Sequence, residues 1–351
     1  MNNAPTYQPA NLNHLKADLS SNTTLAPLRS IETPTDKLAS VLQEKGQLTE
    51  AEKLLRRALP IEEKSQGAEH QSTAGTIFRL GCVLQERGQY DEAEPLFRRG
   101  LAIFEKLYGD AHQSTTGTMY RLANLLEAKG RLDEAEALLR RAVPNEEKVH
   151  GLEHQSTAVM MYNLASVLQD KGELDEAEEI FTKVLKVFEK LFGAAHTETA
   201  KLMNNLALVL QDKGKLPEAE AMYRRVLGIF EKAFGVGHPQ TAVTVANLAR
   251  VLQDTKQLDE AEELFRKSLA ICSKGGGPFP PTYPVYLQGC IGGVVLLRSA
   301  DPNPFTRGGA SADEGRAAVE GAIATLMAPP YSLPATDKFV NRLIGYRKAG
   351  C

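Results

Sequence analysis

The sequence predicts an all-α solenoid of about six stacked 42-residue helix–turn–helix repeats. Three observations carry this. Leu38, Leu80, Leu122, Leu164, Leu206 and Leu248 hold one phase of a 42-residue period, and Ala51, Ala93, Ala135, Ala177, Ala219 and Ala261 hold another. His70, His112, His154, His196 and His238 hold a third. Within each period the apolar spacing is that of helix faces, in two segments separated by a glycine. Self-similarity at this period means units that cannot bury their apolar faces alone and must stack.

The clearest copy runs from 154 to 193. Met160, Leu164, Val167 and Leu168 stand at offsets of 3, 4 and 7–8, one face of a helix. Gly172 ends that helix, and Gly46, Gly88, Gly130 and Gly214 recur in its place, where the left-handed conformation of a helix C-terminus favours glycine. The last copy has Lys256 there, which predicts a strained or looser turn. A second helix follows with Ala177, Ile180, Phe181, Val184, Leu185 and Phe188 on its apolar side. Its start carries D-x-x-E: Asp175/Glu178, Asp91/Glu94, Asp133/Glu136 and Asp259/Glu262, with Thr49/Glu52 as a variant. This predicts a capping box, which Pro217 breaks in the fifth copy. The repeated small Ala177 lets the two helices approach closely.

The repeats occupy residues 28–274, their first copy degraded, as suits an end unit with one neighbour missing. Residues 1–27 are polar, without a periodic apolar face, and are expected to be a flexible lead-in. Gly275–Gly277 and the proline-rich stretch after it read as a linker over 275–284. Beyond it the 42-residue register is expected to be lost, and residues 285–351 are expected to be a helical cap or disordered. Candidate helices there begin at Ser311 and around Phe339.

Bulk properties narrow the function. A formal net charge of -3 offers no electrostatic footprint for nucleic acid or an anionic membrane. Cys82, Cys272, Cys290 and Cys351 lack the spacing of a zinc site or a disulfide framework. The longest apolar run, Ile291 to Leu297, is too short to cross a bilayer, and the first residues carry no secretory pattern, so a cytoplasmic location is the expectation.

The units HTETAKLMNNLALVLQDKGKLPEAEAMYRRVLGIFEKAFG at 196–235 and HPQTAVTVANLARVLQDTKQLDEAEELFRKSLAI at 238–271 resemble the tetratricopeptide repeat. They are most similar to its long form in kinesin light chains and nephrocystin-3-like proteins. The resemblance implies a right-handed superhelix whose first helices wall a concave groove for an extended peptide. The positions that match this groove are Arg79, Tyr120, Arg121, Asn124, Tyr162, Asn163, Lys201, Asn204, Asn205, Asn247 and Arg250. Asn amides both donate to and accept from a peptide backbone, Arg and Lys favour acidic groups, and Tyr rings supply amphipathic anchors. Some of these Asn residues also have a structural alternative, as bridges between neighbouring helices. Kinesin light chains pair with the motor heavy chain through N-terminal heptads. Kinesin heavy chain is a partner the resemblance implies, and the lack of such heptads in residues 1–27 counts against it.

Other chemistry finds little support. The periodic histidines cannot share a metal, because zinc ligands must lie within about 2.1 Å of one ion and successive copies are separated by two helix diameters of about 10 Å each. They are expected instead at the start of each first helix, against the preceding copy. The basic pairs Arg56/Arg57, Arg98/Arg99, Arg140/Arg141, Arg224/Arg225 and Arg266/Lys267 follow acidic clusters at ion-pair spacing, which reads as a solvated, salt-bridged face. No nucleophile elbow, phosphate loop or metalloprotease motif is present, so neither an enzyme nor a cofactor is expected. The sequence therefore reads as a scaffold or adaptor for protein partners. The alternative is a regulatory repeat module inhibited by its own tails.

Overall fold

The computed structural model describes residues 33–273 and, beyond them, residues 287, 288, 291, 292, 294, 317, 320, 321 and 324. The expected lead-in and linker lie outside the described residues. Twelve helices and no strands are found among the described residues, arranged as six hairpins. The first three hairpins are α1 (Pro34–Glu44) with α2 (Leu48–Gln66), α3 (Gln71–Glu86) with α4 (Tyr90–Tyr108), and α5 (Gln113–Ala128) with α6 (Leu132–His150). The remaining three are α7 (Gln155–Lys171) with α8 (Leu174–Leu191), α9 (Thr197–Asp212) with α10 (Leu216–Phe234), and α11 (Pro239–Asp254) with α12 (Leu258–Ser273). The described chain forms two compact units, one ending at Val187 and the other beginning at Phe188, within α8.

The periodic histidines are the N-caps of α3, α5, α7, α9 and α11. In each, Nδ1 accepts the backbone N–H two residues on, at 3.2 Å. An imidazole in this role satisfies one of the orphan donors of a helix start, as Ser or Asp does elsewhere. Four of the rings also stack on the last aromatic of the preceding second helix: Tyr108 on His112, His150 on His154, Phe192 on His196 and Phe234 on His238, with centroids 4.2–5.3 Å apart. Each of these four histidines thus packs against the end of the hairpin before it. α1, which lacks this histidine, begins with a capping box between Thr33 and Asp36 and with Pro34 in its first turn.

The second helices begin differently from the expectation. α2, α4, α6 and α10 start one residue before the expected capping position, at Leu48, Tyr90, Leu132 and Leu216. Their N-cap residues Gln47, Gln89, Arg131 and Lys215 make no side-chain cap. Asp91 and Asp133 therefore sit inside the first turn, favoured by the helix dipole, and bond Lys129 and Lys171 of the next copy, each at 2.8 Å. In these helices there is no capping box, and Pro217 in the first turn of α10 breaks nothing. A short-range motif is outweighed here by the turn that delivers the chain into the helix.

That turn depends on one residue. Gly46, Gly88, Gly130, Gly172 and Gly214 have φ between +72° and +83°, and Lys256 takes the same conformation at +66°. The periodic alanines Ala51, Ala93, Ala135, Ala177, Ala219 and Ala261 are fully buried. The register also persists further than the sequence suggests. Leu287, Ile291 and Val294 are helical and buried, each 42 residues after the buried Val245, Ala249 and Leu252. Of the helix expected from Ser311, only Ala317, Glu320, Gly321 and Ala324 are described, and they are helical. The helix expected around Phe339 lies outside the described residues.

Candidate peptide-binding face

Side chains on the second helices are occupied with one another. Arg98, Arg140 and Arg224 each hold a glutamate four residues back on their own helix. They also reach a glutamate 36 residues ahead, Glu134, Glu176 and Glu260, at 2.7–3.1 Å. Arg56 does the same with Glu52 and Glu92. The other members of the pairs reach backward: Arg99 to Glu63, Arg141 to Glu105, Arg225 to Glu189 and Lys267 to Glu231, at 2.7–3.1 Å. Within each unit, neighbouring copies are thereby laced together on this face. Glu94 is held by Arg98, Lys129 and Arg131, and the Lys129 hydrogen bond foremost brings its carboxyl down to about 2. A basic stripe so neutralised has little charge left for a polyanion.

The first helices carry the other polar series. One residue before Leu80, Leu122, Leu164, Leu206 and Leu248 stand Arg79, Arg121, Asn163, Asn205 and Asn247. In the unit ending at Val187, Arg79, Tyr120, Arg121, Tyr162 and Asn163 are all buried and Asn124 is half-buried. In the unit beginning at Phe188, Asn204, Asn205, Asn247 and Arg250 are buried and Lys201 is half-buried. Several are engaged within the protein. Arg79 Nη1 donates to Ser40 Oγ at 2.6 Å and its Nε lies 3.6 Å from Asp36 Oδ1. Asn163 Nδ2 donates to the Val159 carbonyl of its own helix at 2.8 Å. Arg250 donates to Gln211 Oε1 at 3.1 Å, and Lys201 to Glu198 Oε1 at 2.6 Å. Tyr162 packs edge-on against Phe181, with centroids 5.6 Å apart.

These engagements leave polar atoms over. Asn124 Oδ1, Asn163 Oδ1, Asn204 Oδ1, Asn247 Nδ2 and the Tyr120 hydroxyl are buried and make no hydrogen bond. Buried polar groups are nearly always paired, because each unpaired one costs about 1–3 kcal/mol. Unmet capacity recurring along one series of helices can serve to meet the amides of another chain.

A second polar series was not singled out from the sequence. Five residues after the periodic leucine stand Gln43, Gln85, Glu127, Gln169, Gln211 and Gln253. Four of these bridge consecutive first helices: Gln43 to Glu86, Gln85 to the Arg121 carbonyl, Glu127 to Ser166, and Gln211 to Asp254 and Arg250. Recurrence at the 42-residue period was the signal that could have found it. Buried on α3 is also Cys82, whose thiol is pushed up to about 11 by burial, which removes it as a nucleophile at neutral pH. Among the described residues no cluster could hold a metal ion, and no helix is long and apolar enough to cross a membrane.

Fold and face together define a repeat scaffold built of helical hairpins. The tetratricopeptide repeat family matches at residues 30–106, 114–190, 156–232 and 198–274 with one family model and at 78–148 with a second. The chain belongs to this family, whose members are generally non-enzymatic protein-interaction scaffolds. Among solved structures, it is similar to the nearly identical TPR-like repeats of a provisionally designated kinesin light chain from Podosopora anserina. That match has 29% identity and a TM-score of 0.51 and covers 59% of this chain and 96% of that one. It shares its fold with BtubC (BKLC) from P. vanneervenii, at 21% identity over 71% of this chain and 96% of that one, with a TM-score of 0.53. It likewise shares the fold of a tetratricopeptide repeat protein from Parabacteroides merdae, at 13% identity over 94% and 99%, with a TM-score of 0.54. No curated protein matches.

Proposed function

We propose that this protein is a non-enzymatic adaptor, kinesin-light-chain-like in its repeats, that holds extended acidic segments of partner proteins along its first helices. The observation that carries the reading is the series Arg79, Arg121, Asn163, Asn205 and Asn247 at the 42-residue period, with buried amide atoms nearby that make no hydrogen bond. A carboxamide donates to a main-chain carbonyl and accepts from a main-chain N–H, so a row of them suits a polypeptide in extended form. The arginines of the series and Lys201 favour an acidic sequence. The likeness to kinesin-light-chain repeats supports the same reading.

The test is capture of partner proteins by immobilised full-length chain, compared with the Asn163→Ala/Asn205→Ala/Asn247→Ala variant. The variant, still helical by circular dichroism, is expected to lose most of the captured proteins, and those lost should share acidic unstructured segments. Undiminished capture by the folded variant removes the proposal.

A further inference from the structure

In two copies a lysine at the end of a first helix holds two carboxylates from the start of the second helix before it. Lys129 takes Asp91 and Glu94 at 2.8 and 2.7 Å, and Lys171 takes Asp133 and Glu136 at 2.8 and 2.5 Å. The aspartate and the base stand 38 residues apart. Asp175 and Lys213 occupy the same two positions in the next copy, and at 217 and 255 both charges are replaced together, by proline and threonine. Only the first copy keeps the base without the acid: Arg87 stands in the lysine register and Thr49 in the aspartate register. Arg87 pairs with Glu52, as Lys129 pairs with Glu94. Its guanidinium therefore already reaches the start of α2, where threonine supplies no second anion.

Thr49 is exposed in the first turn of α2, and the N-cap Gln47 makes no side-chain bond to hold that turn closed. Glu50 and Glu52 follow it at the first and third positions. A basic substrate groove in a kinase selects such downstream carboxylates by charge. We propose that Thr49 is a phosphorylation site for an acidophilic serine/threonine kinase, and that the phosphate takes against Arg87 the place that Asp91 takes against Lys129. In the transfer, Thr49 Oγ bonds to the γ-phosphorus of ATP as the bridging β–γ P–O bond breaks. ADP leaves, and the hydroxyl proton passes to the kinase's general base. The product carries about two negative charges, favoured at a helix N-terminus and matched to the planar fork of an arginine. Modification thereby adds to the first and second hairpins the link that the second and third hold permanently.

The full-length chain is incubated with ATP, Mg²⁺ and an acidophilic serine/threonine kinase. The product is mapped by tandem mass spectrometry and melted beside the unmodified chain. A phosphate is expected on Thr49 and is absent from Thr49→Val. The modified chain should melt about 2 °C higher. Most of that gain should vanish in Arg87→Met, compared with its own unmodified form. Thr49→Asp tests the pairing without a kinase: it should melt higher than Thr49→Asn, by a margin that Arg87→Met removes. Failure to phosphorylate Thr49, whether or not other residues are modified, overturns the site. A phosphorylated Thr49 that leaves Tm unchanged, lowers it, or raises it equally in Arg87→Met overturns the pairing and the link it is said to make.

Discussion

Arg79 and Asp36 form an ion pair at 3.6 Å with side chains 3% and 1% exposed, linking α3 to α1. Thr76 donates to Asp36 at 3.2 Å and to Glu62 at 2.8 Å, and burial raises the Glu62 carboxyl above its ordinary range. Desolvating two charges is costly, so the pair adds little net stability, but removing one partner strands the other. Arg79→Ala is expected to destabilise the protein by about 3–5 kcal/mol in urea unfolding, whereas Asp36→Leu/Arg79→Met should cost far less. A loss below about 1 kcal/mol for Arg79→Ala would remove the pair from the account of stability.

Lys256 holds the conformation that glycine holds in the five other hairpin turns. A left-handed non-glycine residue costs roughly 1–2 kcal/mol, part of which glycine gives back through its greater freedom when unfolded. Lys256→Gly is expected to stabilise the last hairpin by about 1 kcal/mol, read as a rise in the urea midpoint with unchanged slope.

Pro144 lies inside α6, where the in-register residue of α4 is Ala102. Proline there removes a helix hydrogen bond and crowds the preceding turn, at a cost of up to about 3 kcal/mol. Its side chain is exposed, so no core packing is lost on truncation. Pro144→Ala is expected to raise stability by about 1–3 kcal/mol. A fall in Tm would show that the bend it imposes is needed.

The histidine caps carry a pH dependence. Burial lowers the imidazole pKa of His112 and of His238, and in both the cap needs Nδ1 unprotonated. Between the lowered value and the ordinary value of about 6.5, the unfolded chain binds more protons than the folded one, so stability rises with pH in that window. The contribution is present above about pH 6.5 and is lost as pH falls through the folded values. Tm measured from pH 7.5 down to 5 should fall accordingly. The slope should flatten in His112→Asn/His238→Asn, which keeps a capping acceptor that does not titrate.

Much of this was legible in the sequence because local physics repeats. Each leucine, alanine and glycine phase answers to a helix face, a helix crossing or a turn, and six copies make the period plain. The histidines at the helix starts could be placed for the same reason. The D-x-x-E reading failed because capping depends on where the backbone enters the helix, and that is set by the turn glycine two to three residues earlier. The basic pairs were readable as salt-bridged, but their partners 36 residues away on the neighbouring hairpin were not.

The sequence by itself determined that the chain is built of repeated helical hairpins and which positions of each copy face its interior. Those features follow from spacing along one chain segment. Only the tertiary structure decided that Arg79 turns to Asp36, that Asn163 is spent partly on its own helix, and that Gln253 is left with nothing to bond. Each of these depends on what a neighbouring copy presents at contact distance. Hydrogen bonds and ion pairs act over a few ångströms in space, and a repeat period fixes which copies are neighbours without fixing which of their atoms meet.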